Sequence, residues 1–182
     1  MSEWKKVRLG SVISTNASSY STKEDWSFVN YLDTGNITKN VITDIQKIDL
    51  QNEKLPSRAK RKVQYNSILY STVRPNQRHY GIVKDIPENF LVSTGFTVID
   101  VNEEKADADF IYFLLTRDKI VELLNSIAEQ SVSTYPSIKA ADIENLEVDL
   151  PPIEEQKKIA SILCTITDKI QQNTEINKNL VA

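Results

Sequence analysis

The side chains best placed to do chemistry lie in one run, Tyr70-Ser71-Thr72-Val73-Arg74-Pro75-Asn76-Gln77-Arg78-His79-Tyr80. Arginine pairs bidentately with guanine, asparagine and glutamine pair with adenine, and hydroxyls reach phosphate oxygens, so the run has the donors and acceptors needed to read duplex DNA. The plain alternative is a polar surface loop turned by Pro75. Residues 54–80 add seven bases, Lys54, Arg58, Lys60, Arg61, Lys62, Arg74 and Arg78, with no acid among them. A block of that kind is either a solvated face or a set of phosphate contacts whose affinity falls with salt.

Other chemistries find less material. A structural zinc site takes four Cys or His ligands, and this chain has one of each, Cys164 and His79. One cysteine permits no internal disulfide, which points to a reducing compartment, and the cytoplasm is the expected one. Among only four glycines there is no phosphate-cradling loop. His79 fits a phosphate contact better than acid–base catalysis, and Cys164 reads as a small buried or half-buried thiol. The N-terminus lacks the apolar core of a signal peptide, and no run approaches the roughly 18 apolar residues of a membrane span.

The formal charge of −3 over 182 residues argues, taken whole, against a basic DNA-facing surface. That total averages unlike segments, because residues 81–155 carry sixteen acids against five bases. Only the local distribution acts on a partner.

The elements that must hold these side chains divide the chain in two. Strand candidates fill the first half: Val7–Ile13, Phe28–Leu32, Ser67–Val73, Gly81–Lys84, Phe90–Val92 and Gly95–Val101, with Asp33-Thr34-Gly35-Asn36 as a turn. Helices follow. One is capped by Asp107 or Asp109 and carries Phe110, Phe113, Leu114, Val121, Leu124 and Ala128 on one face; a short one spans Ile138 to Leu146. Val148-Asp149-Leu150-Pro151-Pro152 ends that stretch, since proline cannot continue a helix but suits the first turn of the next.

From Ile153 to about Leu180 there is no proline or glycine, and Glu154 and Glu155 sit where the helix dipole favours acids. Ile159, Ile162, Ile166, Lys169, Asn173, Ile176 and Leu180 follow a 3-4 alternation, a heptad seam with two polar places, flanked by Leu163 and Ile170. Such a helix runs roughly 42 Å at about 1.5 Å per residue, longer than a small domain's core requires. It is expected to pack on another helix.

With these residues in view, the chain resembles the specificity (S) subunits of type I restriction–modification systems. The resemblance rests on Leu150-Pro151-Pro152-Ile153-Glu154-Glu155-Gln156-Lys157-Lys158-Ile159-Ala160-Ser161-Ile162-Leu163, on Trp4–Gly10, on Asn66–Pro75, on Val92-Ser93-Thr94-Gly95-Phe96 and on Ser133-Thr134-Tyr135-Pro136-Ser137-Ile138. It implies an α+β fold, with a sheet-rich target-recognition domain with helices at residues 1–150 and a spacer and dimerisation helix at 151–182 that packs as an antiparallel coiled coil. It also implies a non-catalytic subunit without cofactor or metal, reading one half of a bipartite double-stranded DNA target and docking methyltransferase (M) and restriction (R) subunits.

A full S subunit resembles two such units in tandem. This chain, with one, is expected either to form a homodimer through the seam or to be a fragment of a two-domain subunit. No Asn/Asp-Pro-Pro-aromatic motif of adenine methyltransferases is present. The residues expected to meet DNA are Arg74, Asn76, Gln77 and Arg78 at bases or phosphates, Lys60, Arg61 and Lys62 at phosphates, and Ser133, Thr134, Tyr135 and Lys139 in a second loop. The rival expectation is an assembly scaffold for M subunits with little DNA binding of its own, to which the acidic 81–155 stretch is suited.

Overall fold

The computed structural model describes residues 3–131 and 135–181. Twelve strands and four α-helices run in the order β1 (Lys5–Arg8), β2 (Ile13–Thr15), β3 (Phe28–Leu32), β4 (Ile37–Thr38), β5 (Val41–Ile42), β6 (Gln46–Asp49), β7 (Ala59–Arg61), β8 (Ile68–Ser71), β9 (Tyr80–Ile82), β10 (Phe90–Ser93), β11 (Phe96–Val101), α1 (Ala108–Leu115), α2 (Asp118–Glu129), α3 (Ala140–Glu144), β12 (Glu147–Leu150) and α4 (Ile153–Val181). The α+β class and the long C-terminal helix agree with the sequence reading.

Two four-stranded sheets carry the fold, ordered β6-β3-β10-β7 and β2-β11-β8-β9. All pairings in them are antiparallel except β3 with β10, which run parallel with Phe90 opposite Asn30. Side chains alternate across a strand, so each sheet feeds two cores. Leu32, Leu69, Phe90, Val92, Phe96 and Val98 meet between the sheets. Val29, Tyr31, Ile48, Ala59 and Leu91 point the other way, beneath Tyr20 and Trp26. Ile68, Tyr70, Tyr80 and Ile99 turn toward the helices, where they join Ile111, Leu115, Leu124 and Ile143. With both faces covered, β8 and β10 are buried at every position and read as continuous apolar runs.

Several elements depart from the sequence pattern. The helix expected to run from Asp107 through Ala128 is two helices. Asp107 does cap α1 by accepting from the Phe110 N–H at 2.9 Å. Thr116 then ends it, its hydroxyl donating to the Tyr112 carbonyl at 2.9 Å, and Arg117 is extended before α2 begins. The stretch Val7–Ile13 is interrupted by a 3₁₀ turn at Leu9–Ser11, and the helix expected over Ile138–Leu146 is confined to α3. β4 to β7 are only two to four residues long with no clear alternation, and β6 and β7 come from polar sequence. β12, at the expected stop before the prolines, pairs antiparallel with β1, Lys5 opposite Leu150, and so brings the N-terminal segment beside the base of α4.

The base of α4 is anchored and the rest is not. Gln156 is 1% exposed; its amide oxygen accepts from the Asp107 N–H at 2.9 Å and its amide nitrogen donates to the Pro151 carbonyl at 2.8 Å. Ala160 is buried one turn on. Burial pushes the half-buried Cys164 thiol above its ordinary range, with Asp109 adding to the effect. Farther along, Ile162, Ile166, Ile170, Ile176 and Leu180 are 61%, 50%, 62%, 54% and 78% exposed. Among the described residues no helix is long and apolar enough to cross a membrane.

Candidate nucleic-acid interface

The loop after β8 is held from both sides. The Thr72 N–H and hydroxyl both donate to the Gly95 carbonyl, at 2.8 and 2.9 Å. Val73 bridges Ser137, the Ile138 N–H donates to the Thr72 carbonyl at 2.8 Å, and the Arg74 N–H donates to the Pro136 carbonyl at 3.0 Å. A 3₁₀ turn at Pro75–Gln77 follows, closed by the Gln77 N–H on the Arg74 carbonyl at 2.9 Å.

Arg74 and Arg78 flank that turn in the left-handed region, with φ of 47° and 58°. Each such non-glycine conformation costs about 1–2 kcal/mol and persists only where the surroundings over-determine it. The hydrogen bonds to Gly95 and Pro136 do so here. They present Asn76 and Gln77 to solvent, with the Arg74 guanidinium 5.5 Å over the Tyr135 ring. The structure thus brings the expected first loop and Tyr135 together. Ser133 and Thr134 lie outside the described residues. Lys139 is exposed ahead of α3, its backbone N–H donating to Asp142 at 2.7 Å.

The other bases are in different circumstances. Arg78 pairs with Asp118 in the first turn of α2 at 2.7 Å; that carboxylate, then Tyr80, raises the guanidinium above its ordinary value. Lys62 is bonded to Glu24 and stands 5.1 Å over the Trp26 ring, and the Lys62 ammonium holds the Glu24 carboxyl below its ordinary range. Arg61 is half-buried on β7, its Nε buried without a hydrogen-bond partner among the described residues, and burial lowers its guanidinium. Lys60, beside it, is exposed. The Lys60–Lys62 part of the basic block therefore lies on and just after β7, whose outer edge is covered by residues 18–20: Ser19 bridges Arg61, and the Tyr20 N–H donates to the Lys60 carbonyl at 2.7 Å.

His79 does not present Nδ1 to solvent. That nitrogen lies 2.6 Å from the Ile37 carbonyl, which can only accept, so it carries the hydrogen. The bond ties the loop to the β4–β5 hairpin, whose turn residues Lys39 and Asn40 have φ of 46° and 67°, the pattern of a type I′ turn. The Lys39 N–H donates to the Arg78 carbonyl at 2.9 Å, placing exposed Lys39 and Asn40 on the same face. Sequence reasoning missed both. The one available signal, an asparagine ending a two-residue turn, is weak without a following glycine. Arg58 is a second omission: it was counted in the basic block but not singled out.

Comparison with known proteins follows the same lines. A family profile described as "Type I restriction modification DNA specificity domain" matches residues 1–181. The type I restriction enzyme HindI specificity subunit of Haemophilus influenzae is 33% identical over 180 residues, 99% of this chain and 39% of that protein. The putative MjaX specificity subunit of Methanocaldococcus jannaschii is 25% identical over 169 residues, 88% of this chain and 39% of that protein. The chain thus spans about two fifths of these curated relatives.

Among solved structures, the HsdS subunit of Thermoanaerobacter tengcongensis superposes with a TM-score of 0.79 at 26% identity, over 96% of this chain and 44% of the other. A chain from a structure described as the basis of "complex assembly" and "conformational transition of the type I R-M system" gives 0.78 at 28% identity, also over 96% and 44%. The S subunit of M. genitalium shares the fold, with a TM-score of 0.60 at 14% identity over 94% of this chain and 41% of that one.

Proposed function

Because the chain belongs to the type I restriction–modification DNA specificity family, we propose that it recognises one half of a bipartite duplex target and docks methyltransferase subunits without catalysing a reaction itself. The observation that carries this reading is the backbone-locked loop. Two arginines are held at positive φ around an exposed Asn76-Gln77 pair, a strained arrangement of the kind that clusters at binding sites. Arg74, Asn76 and Gln77, with Tyr135 under Arg74, form the centre of the contact surface. Lys139 flanks it, Arg78 stands beside it in its ion pair, and Lys60 to Lys62 act at its margin; Ser133 and Thr134, outside the described residues, are assigned to the contact on their side-chain type alone. Residues 1–150 form the recognition domain and 151–182 the spacer, working where DNA is accessible, in the cytoplasm alongside methyltransferase and restriction subunits.

The exposed side of α4 supports a partner helix, supplied by a second copy or by the other half of a longer subunit. Antiparallel pairing of two copies sets Ile162 against Leu180, Ile166 against Ile176 and Lys169 against Asn173, so apolar meets apolar and ammonium meets amide. Parallel pairing would stack Lys169 on Lys169. The polar pair lowers stability and specifies orientation. At 29 residues α4 is about 44 Å long, enough to hold two readers roughly 34–36 Å apart, one DNA turn.

Sequencing of methylated sites in a host carrying this chain with its methyltransferase subunit tests the reading. A bipartite motif is expected, with inverted-repeat halves if the chain acts as a homodimer. Absence of any sequence-specific methylation would sink it. The scaffold reading has one observation in its favour, the internal neutralisation of Arg78 and Lys62 by Asp118 and Glu24. Tight association with the methyltransferase but no retention of duplex DNA, by the chain or by the complex, is the result that would favour it.

A further inference from the structure

Arg58, like Lys54, Lys60 and Arg74, differs from the other three bases in the block. It is exposed and, among the described residues, makes no ion pair, whereas Lys62 and Arg78 are neutralised from within and Arg61 is half-buried. Its guanidinium nevertheless has a defined place. An added Cβ on Gly95 would come within 3.4 Å of the Arg58 Nη2 and 2.9 Å of the Thr34 Cγ2, so the Arg58 fork and Thr34 lie close over this glycine. The Thr94 N–H donates to the Arg58 carbonyl at 2.8 Å, and the Gly95 carbonyl takes both bonds from Thr72, two residues before Arg74. One turn between β10 and β11 therefore couples Arg58 to the strained loop.

Beside Arg58 is a built carboxylate. Asp33 accepts from the Thr34 N–H at 2.8 Å and from the Tyr31 hydroxyl at 3.1 Å, and buried Ser93 hydrogen-bonds it as well. Partial burial pushes Asp33 up, but these three donors and the Arg58 charge outweigh that and hold it below its ordinary range. A permanent negative charge here disfavours a phosphate. A planar donor fork next to fixed acceptors matches a base edge better, because edges present donors and acceptors together and the packed fork has less freedom to lose.

We propose that Arg58, held over Gly95 beside Asp33 and Thr34, is a specificity-determining residue that reads a base edge in the duplex, with Gly95 as its positioning residue. This rests on the DNA-recognition reading above and assigns part of that surface.

The test uses the chain assembled with its methyltransferase subunit, read by sequencing of methylated sites and by binding to a duplex carrying the wild-type motif across a salt series. Arg58→Ala and Arg58→Gln are expected to relax the motif at one position and to weaken binding about 10- to 100-fold, the scale of one lost bidentate contact. Arg58→Lys should not restore that position, since an ammonium lacks the fork, and Gly95→Ala should relax the same position. Lys54→Ala should leave the motif unchanged. An unchanged motif in both Arg58→Ala and Arg58→Gln overturns the proposal. So does a uniform loss over all sequences with a salt slope reduced by about one, which marks a phosphate contact. Failure of the wild-type chain to direct any sequence-specific methylation instead removes the reading on which the proposal rests.

Discussion

The loop from Thr72 to Arg78 and the second half of α4 are both exposed, and they are built in opposite ways. The loop is polar and fixed by the chain itself: Gly95 and Pro136 take its backbone hydrogen bonds, and two of its residues hold strained torsions. The helix is regular and unstrained, yet from Ile162 to Leu180 it carries an apolar stripe that no part of the described chain covers. A reader of DNA gains from a surface organised before the encounter, because less ordering remains to be done on binding. A spacer needs a surface completed by its partner.

The widest gap between the two regions should appear in self-association. Ile162→Glu combined with Ile166→Glu is expected to weaken it more than 100-fold in sedimentation equilibrium, since each covered Ile contributes about 1.5–3 kcal/mol and a buried carboxylate costs more. The melting temperature of the recognition domain should hardly move; a large drop there would mean that the stripe is packed on its own domain. Covering the opposite case, Gln156→Leu removes the buried amide that joins the Asp107 N–H to the Pro151 carbonyl. It should cost about 1–3 kcal/mol and lower the melting temperature by several degrees, with the association constant of the remaining helix little changed.

Arg74 separates strain from recognition. Arg74→Gly relieves the left-handed strain and should melt at or slightly above the wild type while losing specific DNA binding about 10-fold or more. Arg74→Val, β-branched in the same conformation, should be less stable than Arg74→Gly by about 1–2 kcal/mol or more. Equal stability of the two variants would show that the loop is not held as described.

The smallest effect concerns Glu24 and Lys62. Glu24 has a depressed folded pKa, so its contribution is present above its ordinary value of 4.5 and is lost as pH falls through the lower folded value. Glu24→Gln should therefore melt slightly below the wild type at neutral pH, and the two curves should converge as the solution is taken below pH 4.5. A gap that widens in acid would contradict the assigned direction.

Much of the scaffold was legible in advance, and the reasons are local. β3, β8, β10 and β11 are short β-branched and aromatic runs bounded by turn residues, and α4 is a long stretch without helix breakers. β7 was hidden because its strand character comes from β10 on one side and residues 18–20 on the other, while its own side chains, Lys60 and Arg61, read only as charge. The division of α1 from α2 was hidden for a similar reason: Thr116 ends a helix through its hydroxyl, with no proline or glycine to announce it.

The same division runs through the candidate site. Residue types along the chain were enough to propose which segment could meet nucleic acid and to expect a partner for α4, because both expectations depend on side chains adjacent in sequence or one helical turn apart. Which bases are available was settled only by the fold. Lys62 meets Glu24 across 38 positions, Arg78 meets Asp118 across 40, and Arg58 meets Gly95 through a sheet connection. Charge is a property of a residue, but its neutralisation depends on distance in space, and only the folded chain supplies those distances.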